Sequence, residues 1–298
     1  MPDGVTSINR RLQQIGSGNL IDNVDFSINQ RGVTSWTSGY GLDRYRCGGL
    51  TAHAIDQGVR LVSSSTTYSN FFQIIDRSVK DGDVVTLSAL TKGNNGFRLV
   101  IGRAHDSSIK AVDIPASDDW ELTSVTATLS NLSKLIAKID HPAAVAGDEI
   151  IIHRWKLEPG PFQTLAHREG NTWVLNDPPP NYALELLKCQ RYFVRMKNTE
   201  SSAVSIGFGS KTAHNKVAIT VPLAVPMRIK PTVKCSDPSL LRVVGSTGEQ
   251  YDVTSFYGEV LSANQLRISV TGNFSDMPYG FYVLCINSNG CIDIDANL

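Results

Sequence analysis

The residues best equipped for chemistry in this chain are Trp36, Tyr40, Arg44, Tyr68, Asn94, Asn95, Arg98 and Trp120, which fall in and around loops of its first half. An aromatic ring offers a flat apolar surface to the apolar side of a pyranose, and a neighbouring Arg or Asn pairs with its hydroxyls. Trp36 and Tyr40 lie in SWTSGYG, a stretch too polar and flexible to be pure core, and Trp120 follows the turn Ser117-Asp118-Asp119. The set is therefore expected to recognise sugar, with core or edge packing as the alternative for each Trp. Tyr45 reads as core, and Trp155 fits either role.

Signatures of catalysis are missing. The chain has no G-x-S-x-G elbow, no H-E-x-x-H, no phosphate-loop phrase and no G-x-G-x-x-G between strand and helix. The histidines at 53, 105, 141, 153, 167 and 214 lack metal spacing. The paired carboxylates of a glycosidase can be far apart in sequence, so a glycan depolymerase stays as an alternative to a binder. Cys47, Cys189, Cys235, Cys285 and Cys291 are odd in number and scattered, as expected of free thiols in a reducing compartment.

At 298 residues the chain can bury two cores. Its 28 Lys+Arg balance 28 Asp+Glu, which disfavours a nucleic-acid partner. No run approaches the ~18 apolar residues of a membrane span, and MPDGVTSINRRLQQ has no apolar secretory core. Val5, Ile8, Leu12 and Ile15 are spaced three, four and three apart, an a/d seam for a short oligomerising helix; a tail docking into a neighbouring protein is the alternative. Short runs rich in Val, Ile, Leu and Thr follow (83–90, 96–103, 124–129 and 149–156), separated by turns such as Lys92-Gly93-Asn94-Asn95-Gly96. This pattern means a sandwich or barrel. Residues 161–182, with Pro178-Pro179-Pro180, read as a linker. A short helix over 183–189 then leads into further strands at 203–208, 216–221, 232–235, 265–270 and 280–286. The expected fold is all-β: segment 1–18, a sandwich over 19–160, the linker, and a second sandwich over 183–298.

Four phrases in order carry a resemblance: NLIDNVDFSINQRG (19–32), Leu42-Asp43-Arg44-Tyr45, a Gly-Asp-led strand with LSAL, and Trp155-Lys156-Leu157-Glu158-Pro159-Gly160. Together they resemble the carbohydrate-binding-module-like jelly roll of phage tail-fibre and receptor-binding proteins. Tyr45 departs from the Trp more usual there. KCQRYF (188–193) resembles the phrase that opens the next β-rich module in such proteins. The resemblance implies a non-enzymatic virion protein made in the bacterial cytoplasm, a homotrimer attached to another virion protein by its N-terminal segment and binding host-surface glycans. A head-fibre, decoration or tail adaptor protein with no ligand is the alternative. It also implies no cofactor beyond a structural calcium, for which Asp22, Asp25 and Glu149 are the candidates, with ordinary solvated acids as the alternative reading.

Overall fold

The computed structural model describes residues 18–64, 68–94, 96–104, 107–262 and 265–297. The seam residues Val5, Ile8, Leu12 and Ile15, and the candidate Asn95, lie outside them. Two compact units meet in sequence between Glu185 and Leu186. Among the described residues no helix is long and apolar enough to cross a membrane.

The first unit contains, in chain order, β1 (Ser35–Trp36), β2 (Gly39–Tyr40), β3 (Arg46–Gly48), β4 (Leu50–Ile55), β5 (Gly58–Ser63), β6 (Ser69–Ile75), β7 (Val84–Gly93), β8 (Arg98–Ala104), β9 (Ser107–Asp113), β10 (Ser117–Thr128), β11 (Leu135–His141), β12 (Glu149–Pro159), β13 (Ala166–Glu169) and β14 (Thr172–Leu175). Helix α1 (Tyr182–Gln190) follows. Two antiparallel six-stranded sheets form, one ordered β1-β4-β5-β12-β7-β10 and the other β2-β3-β6-β11-β8-β9. Side chains alternate between faces along a strand, so each sheet contributes every second residue to the core. Leu61, Val85, Leu87, Ile150 and Ile152 come from the first sheet; Phe71, Leu99, Ile101, Ala137 and Ile139 come from the second. A bulge in the pairing of β12 with β7, between Ile152 and Arg154, shifts the alternation by one residue. Trp155 and Leu157 thereby return to the core.

The family-like phrases build this core. Phe26, Tyr45, Phe71 and Trp155 form an aromatic cluster with ring centroids 4.9 to 6.4 Å apart. The Trp155 indole donates to the Tyr45 hydroxyl at 2.9 Å, and that hydroxyl lies 3.0 and 2.9 Å from the carbonyl oxygens of Asp22 and Asn23. Asn19 stitches the N-terminal segment to β12: its carboxamide donates to the Trp155 carbonyl and accepts from the Leu157 amide.

The segment 161–182 is more ordered than the linker expected there. β13 and β14 pair as a hairpin, and Leu165, Ala166, Trp173 and Leu175 pack with Leu90, Trp120 and Leu122 on the outer face of the first sheet. The apolar residues responsible are interspersed with polar ones and followed by prolines, which hid a four-residue strand pair from a composition reading. Residues 178–180 keep the irregular backbone expected of a proline run.

The second unit is all-β but closes where a sandwich was expected. It contains β15 (Phe193–Lys197), β16 (Val204–Ala213), β17 (Lys216–Pro222), β18 (Thr232–Cys235), β19 (Leu241–Gly245), β20 (Gln250–Ser262), β21 (Gln265–Gly272), β22 (Phe281–Ile286) and β23 (Cys291–Asp295). Strands β16-β17-β21-β20-β19-β22 form a closed barrel, and β15-β23-β18 a small separate sheet. Closure follows from β16, which pairs with β17 on one side and β22 on the other. From KCQRYF, Cys189, Tyr192 and Phe193 are buried, a structural role. The loop 272–279 plugs the barrel with Phe274 and Met277, and the buried Lys211 ammonium donates to the carbonyls of both.

Candidate functional site

The second sheet of the sandwich has an outer face organised in rows across the strands. Cross-strand partners point to the same side, and registers place Tyr40, Arg46, Phe72, Lys138, Val100 and Ala111 in one row running from β2 to β9. The adjacent row is Gly48, Asn70, Asp140, Arg98 and Asp113. Their strand neighbours Cys47, Phe71, Ile139 and Leu99 point into the core, which fixes these rows as outward. Even so, Phe72, Val100, Lys138 and Asp140 are buried, while Arg46, Tyr68 and Arg98 remain partly exposed. The face is thus a buried floor with an accessible rim.

The polar floor is tightly paired. Arg98 donates to Asp140 through Nε at 2.9 Å and Nη2 at 3.2 Å, a two-pronged contact. Lys138 Nζ lies 3.0 Å from the same carboxylate and donates to the Tyr68 hydroxyl at 2.6 Å. Burial raises the Tyr68 phenol above its ordinary value, against the opposing Lys138 hydrogen bond. The hydrogen bond to Asp140 raises the Arg98 guanidinium, which stays charged. Lys138 also lies 5.3 Å from the Tyr68 ring centroid, and Arg46 lies 6.0 Å from that of Phe72.

One group in this floor is left over. Asn70 is 5% exposed, and its Oδ1 has no hydrogen-bond partner among the described residues. It faces Gly48, where an added β-carbon would sit 3.7 Å away. A buried acceptor without a donor costs about 1–3 kcal/mol, and a ligand hydroxyl would relieve it. The site therefore offers an unused acceptor, the partly exposed rings of Tyr40 and Tyr68, and charged donors, in and beside two strand rows.

The sequence-named residues divide. Tyr40, Tyr68 and Arg98 belong to this face. Trp36 does not: it is 8% exposed in the core, its ring packed so closely over Gly41 that a β-carbon there would lie 2.0 Å from it. Arg44 is buried and paired with Asp22 at 3.1 Å, a structural ion pair. Asn94 caps the start of β12 by accepting from the Glu149 amide. Trp120 lies on the opposite sheet, where it anchors the hairpin and meets His153 and Lys92. That sheet's outer face holds two clefts of about 570 and 500 Å³ that share Glu149 and Ile151 in their lining. Neither lining includes a Trp, Tyr or Phe; the one ring among them is the His53 imidazole.

The residues missed from sequence are Arg46, Asn70, Phe72, Lys138 and Asp140. The available signal was Leu135-Ile136-Ala137-Lys138-Ile139-Asp140, where Lys and Asp interrupt an apolar strand at period two. The calcium candidates are not brought together. Each Asp22 oxygen faces an arginine, Arg44 or Arg77; Asp25 accepts from Ser27; Glu149 lies 3.6 Å from Arg60. Arginine already supplies the positive charge a cation would bring to Asp22, and no group of three His, Cys, Asp or Glu among the described residues is placed to hold a metal.

No family model matches the chain, and neither does any curated protein. Among solved structures, a CBM4 chain is similar at 18% identity and a TM-score of 0.34, over 47% of this chain and 99% of that one. The CBM22-1 xylan-binding domain from Paenibacillus barcinonensis is similar at 11% identity and a TM-score of 0.33, over 48% and 96%. A family 29 carbohydrate binding module mutant complexed with cellulohexaose is similar at 13% identity and a TM-score of 0.29, over 43% and 88%. Scores this low leave the reading of the site to the chain's own residues.

Proposed function

We propose that the sandwich binds carbohydrate, without turnover, on the outer face of its second sheet. The observation that carries the reading is the unpartnered Asn70 acceptor, set in a buried floor between Phe72 and the Tyr68–Lys138–Asp140–Arg98 cluster. An oligosaccharide crossing the strands would meet the aromatic row and the polar row side by side, with a hydroxyl donating to Asn70 and others accepting from the partly exposed Arg98. The test is a glycan array probed with the whole chain and with Arg98→Gln. Binding of at least one glycan, weakened about tenfold or more in the variant, is the supporting result; each charged hydrogen bond is worth about 1.5–3 kcal/mol. An array with no signal above background would leave the ligand-free assembly reading in its place. Host capsule or lipopolysaccharide should release no fragments on incubation; fragment release would establish a depolymerase instead.

The wider setting is a phage virion fibre in which several copies present this face, since tethered copies raise the effective concentration for each later contact. The family-like phrases at 19–32, 42–45, 155–160 and 188–193 support that setting, as does a charge balance that removes self-repulsion between copies. A homotrimer should appear in light scattering at three times the 32.5 kDa of one chain. A species of single-chain mass would overturn the trimer and leave the carbohydrate face untouched.

A further inference from the structure

The charges on the candidate face do not balance. Its rows hold three cations, Arg46, Lys138 and Arg98, against the buried Asp140 and the exposed Asp113 at the rim. Asp140 is fully engaged by Lys138 and Arg98. Arg46 is half-buried, held over Phe72, and no carboxylate among the described residues pairs with it. Lys138 and Arg46 are the two cross-strand neighbours of Phe72, so positive charge flanks that ring on both sides. At the end of the same row, by contrast, Arg31 beside Tyr40 has Asp43 at 3.7 Å. An anion from outside would supply the carboxylate that Arg46 lacks.

We infer that the ligand is an acidic glycan, one whose sugar carboxylate pairs with Arg46 while a hydroxyl of the same chain donates to Asn70 Oδ1. Arginine presents a planar fork of donors that matches a carboxylate in two-pronged geometry. Arg46 and Gly48 lie two residues apart on β3, opposite Phe72 and Asn70 on β6, so the free donor and the free acceptor are diagonal neighbours about 7–8 Å apart at the backbone. That spacing suits a carboxylate and a hydroxyl on one pyranose or on two linked ones. The inference rests on the carbohydrate reading and adds the charge of the sugar.

The experiment uses the full chain and a panel of polygalacturonate, alginate and hyaluronate, each beside its carboxyl-reduced counterpart, titrated at constant salt. At least one acidic polymer should bind tenfold or more tightly than its reduced form. Arg46→Gln should erase that preference without moving the thermal midpoint, and Asn70→Ala should weaken binding of both forms. Equal binding of acidic and reduced polymers, or an undiminished preference in Arg46→Gln, would overturn the acidic ligand and keep the carbohydrate face. Absence of binding to every polymer in both forms would overturn both.

Discussion

The two sheets of the sandwich carry the same short pattern on their central strands, and they use it differently. Lys156-Leu157-Glu158 on β12 and Lys138-Ile139-Asp140 on β11 each send the apolar middle residue into the core and the charged pair outward. All four charged residues are buried. On the first sheet the chain completes the pair itself. Lys156 donates to Thr164 and Asp177, Glu158 accepts from the Thr164 amide and hydroxyl, and both partners flank the β13–β14 hairpin. On the second sheet the pair is completed by Arg98 and Tyr68, partly exposed residues of the same face, and the neighbouring Asn70 is left without a donor. A buried lysine–carboxylate pair is thus no marker of function by itself. The difference lies in whether the surrounding groups use up every donor and acceptor.

This contrast can be broken most forcefully at Glu158. Glu158→Ala leaves Thr164 and Lys156 short of an acceptor in a closed site, and removing one partner of a buried pair costs about 3–5 kcal/mol. A urea midpoint should fall accordingly, while glycan affinity of the folded fraction stays unchanged. A loss of affinity at constant stability would put the ligand on the wrong sheet. Next in size is Arg98→Gln on the open face: binding should weaken about tenfold or more, while stability falls by only about 1 kcal/mol because the guanidinium is partly exposed and Lys138 remains. Gly48→Val sharpens the comparison further. A β-carbon fits there at ordinary contact distance, so stability should stay within about 0.5 kcal/mol, yet the added side chain would cover Asn70 Oδ1 and block binding. Full affinity in that variant would remove Asn70 from the site. The smallest effect concerns the inner side of the same sheet. Burial pushes the Cys47 thiol up to about 12, above any thiolate-forming pH near neutrality. A thiol reagent at pH 8 should label Cys47 only on unfolding, and rapid labelling of the folded chain would mean the core side is wet.

Much of the fold was legible in the chain. The runs at 83–90, 149–156, 216–221 and 265–270 alternate or concentrate β-branched residues, and each falls on an observed strand to within one residue. Tyr45 could be read as core and the phrase at 155–160 as a closing strand, while the Trp155 ring fitted either role until the structure buried it. The site was harder to read. Trp36 and Trp120 stood out as large rings in polar surroundings, but Trp36 folds back over Gly41, and Ser117-Asp118-Asp119, expected as a turn, begin β10 at an irregular stretch that leaves Trp120 packed against the hairpin. Lys138 and Asp140 stood inside an apolar strand and were passed over, because a charged pair at period two looks the same whether its sheet face is wetted, covered or lined for a ligand.

The sequence alone determined the β class, the balanced charge and the division into two modules, since all three follow from composition and period-two patterning within short windows. Tertiary structure decided the rest: the closure of the second module into a barrel, the hairpin over one outer face, and the row that joins Tyr40, Arg46, Phe72 and Lys138. Those residues are up to about a hundred positions apart, and only hydrogen-bond register between strands makes them neighbours. Register is a property of pairs of strands, which no single stretch of sequence contains.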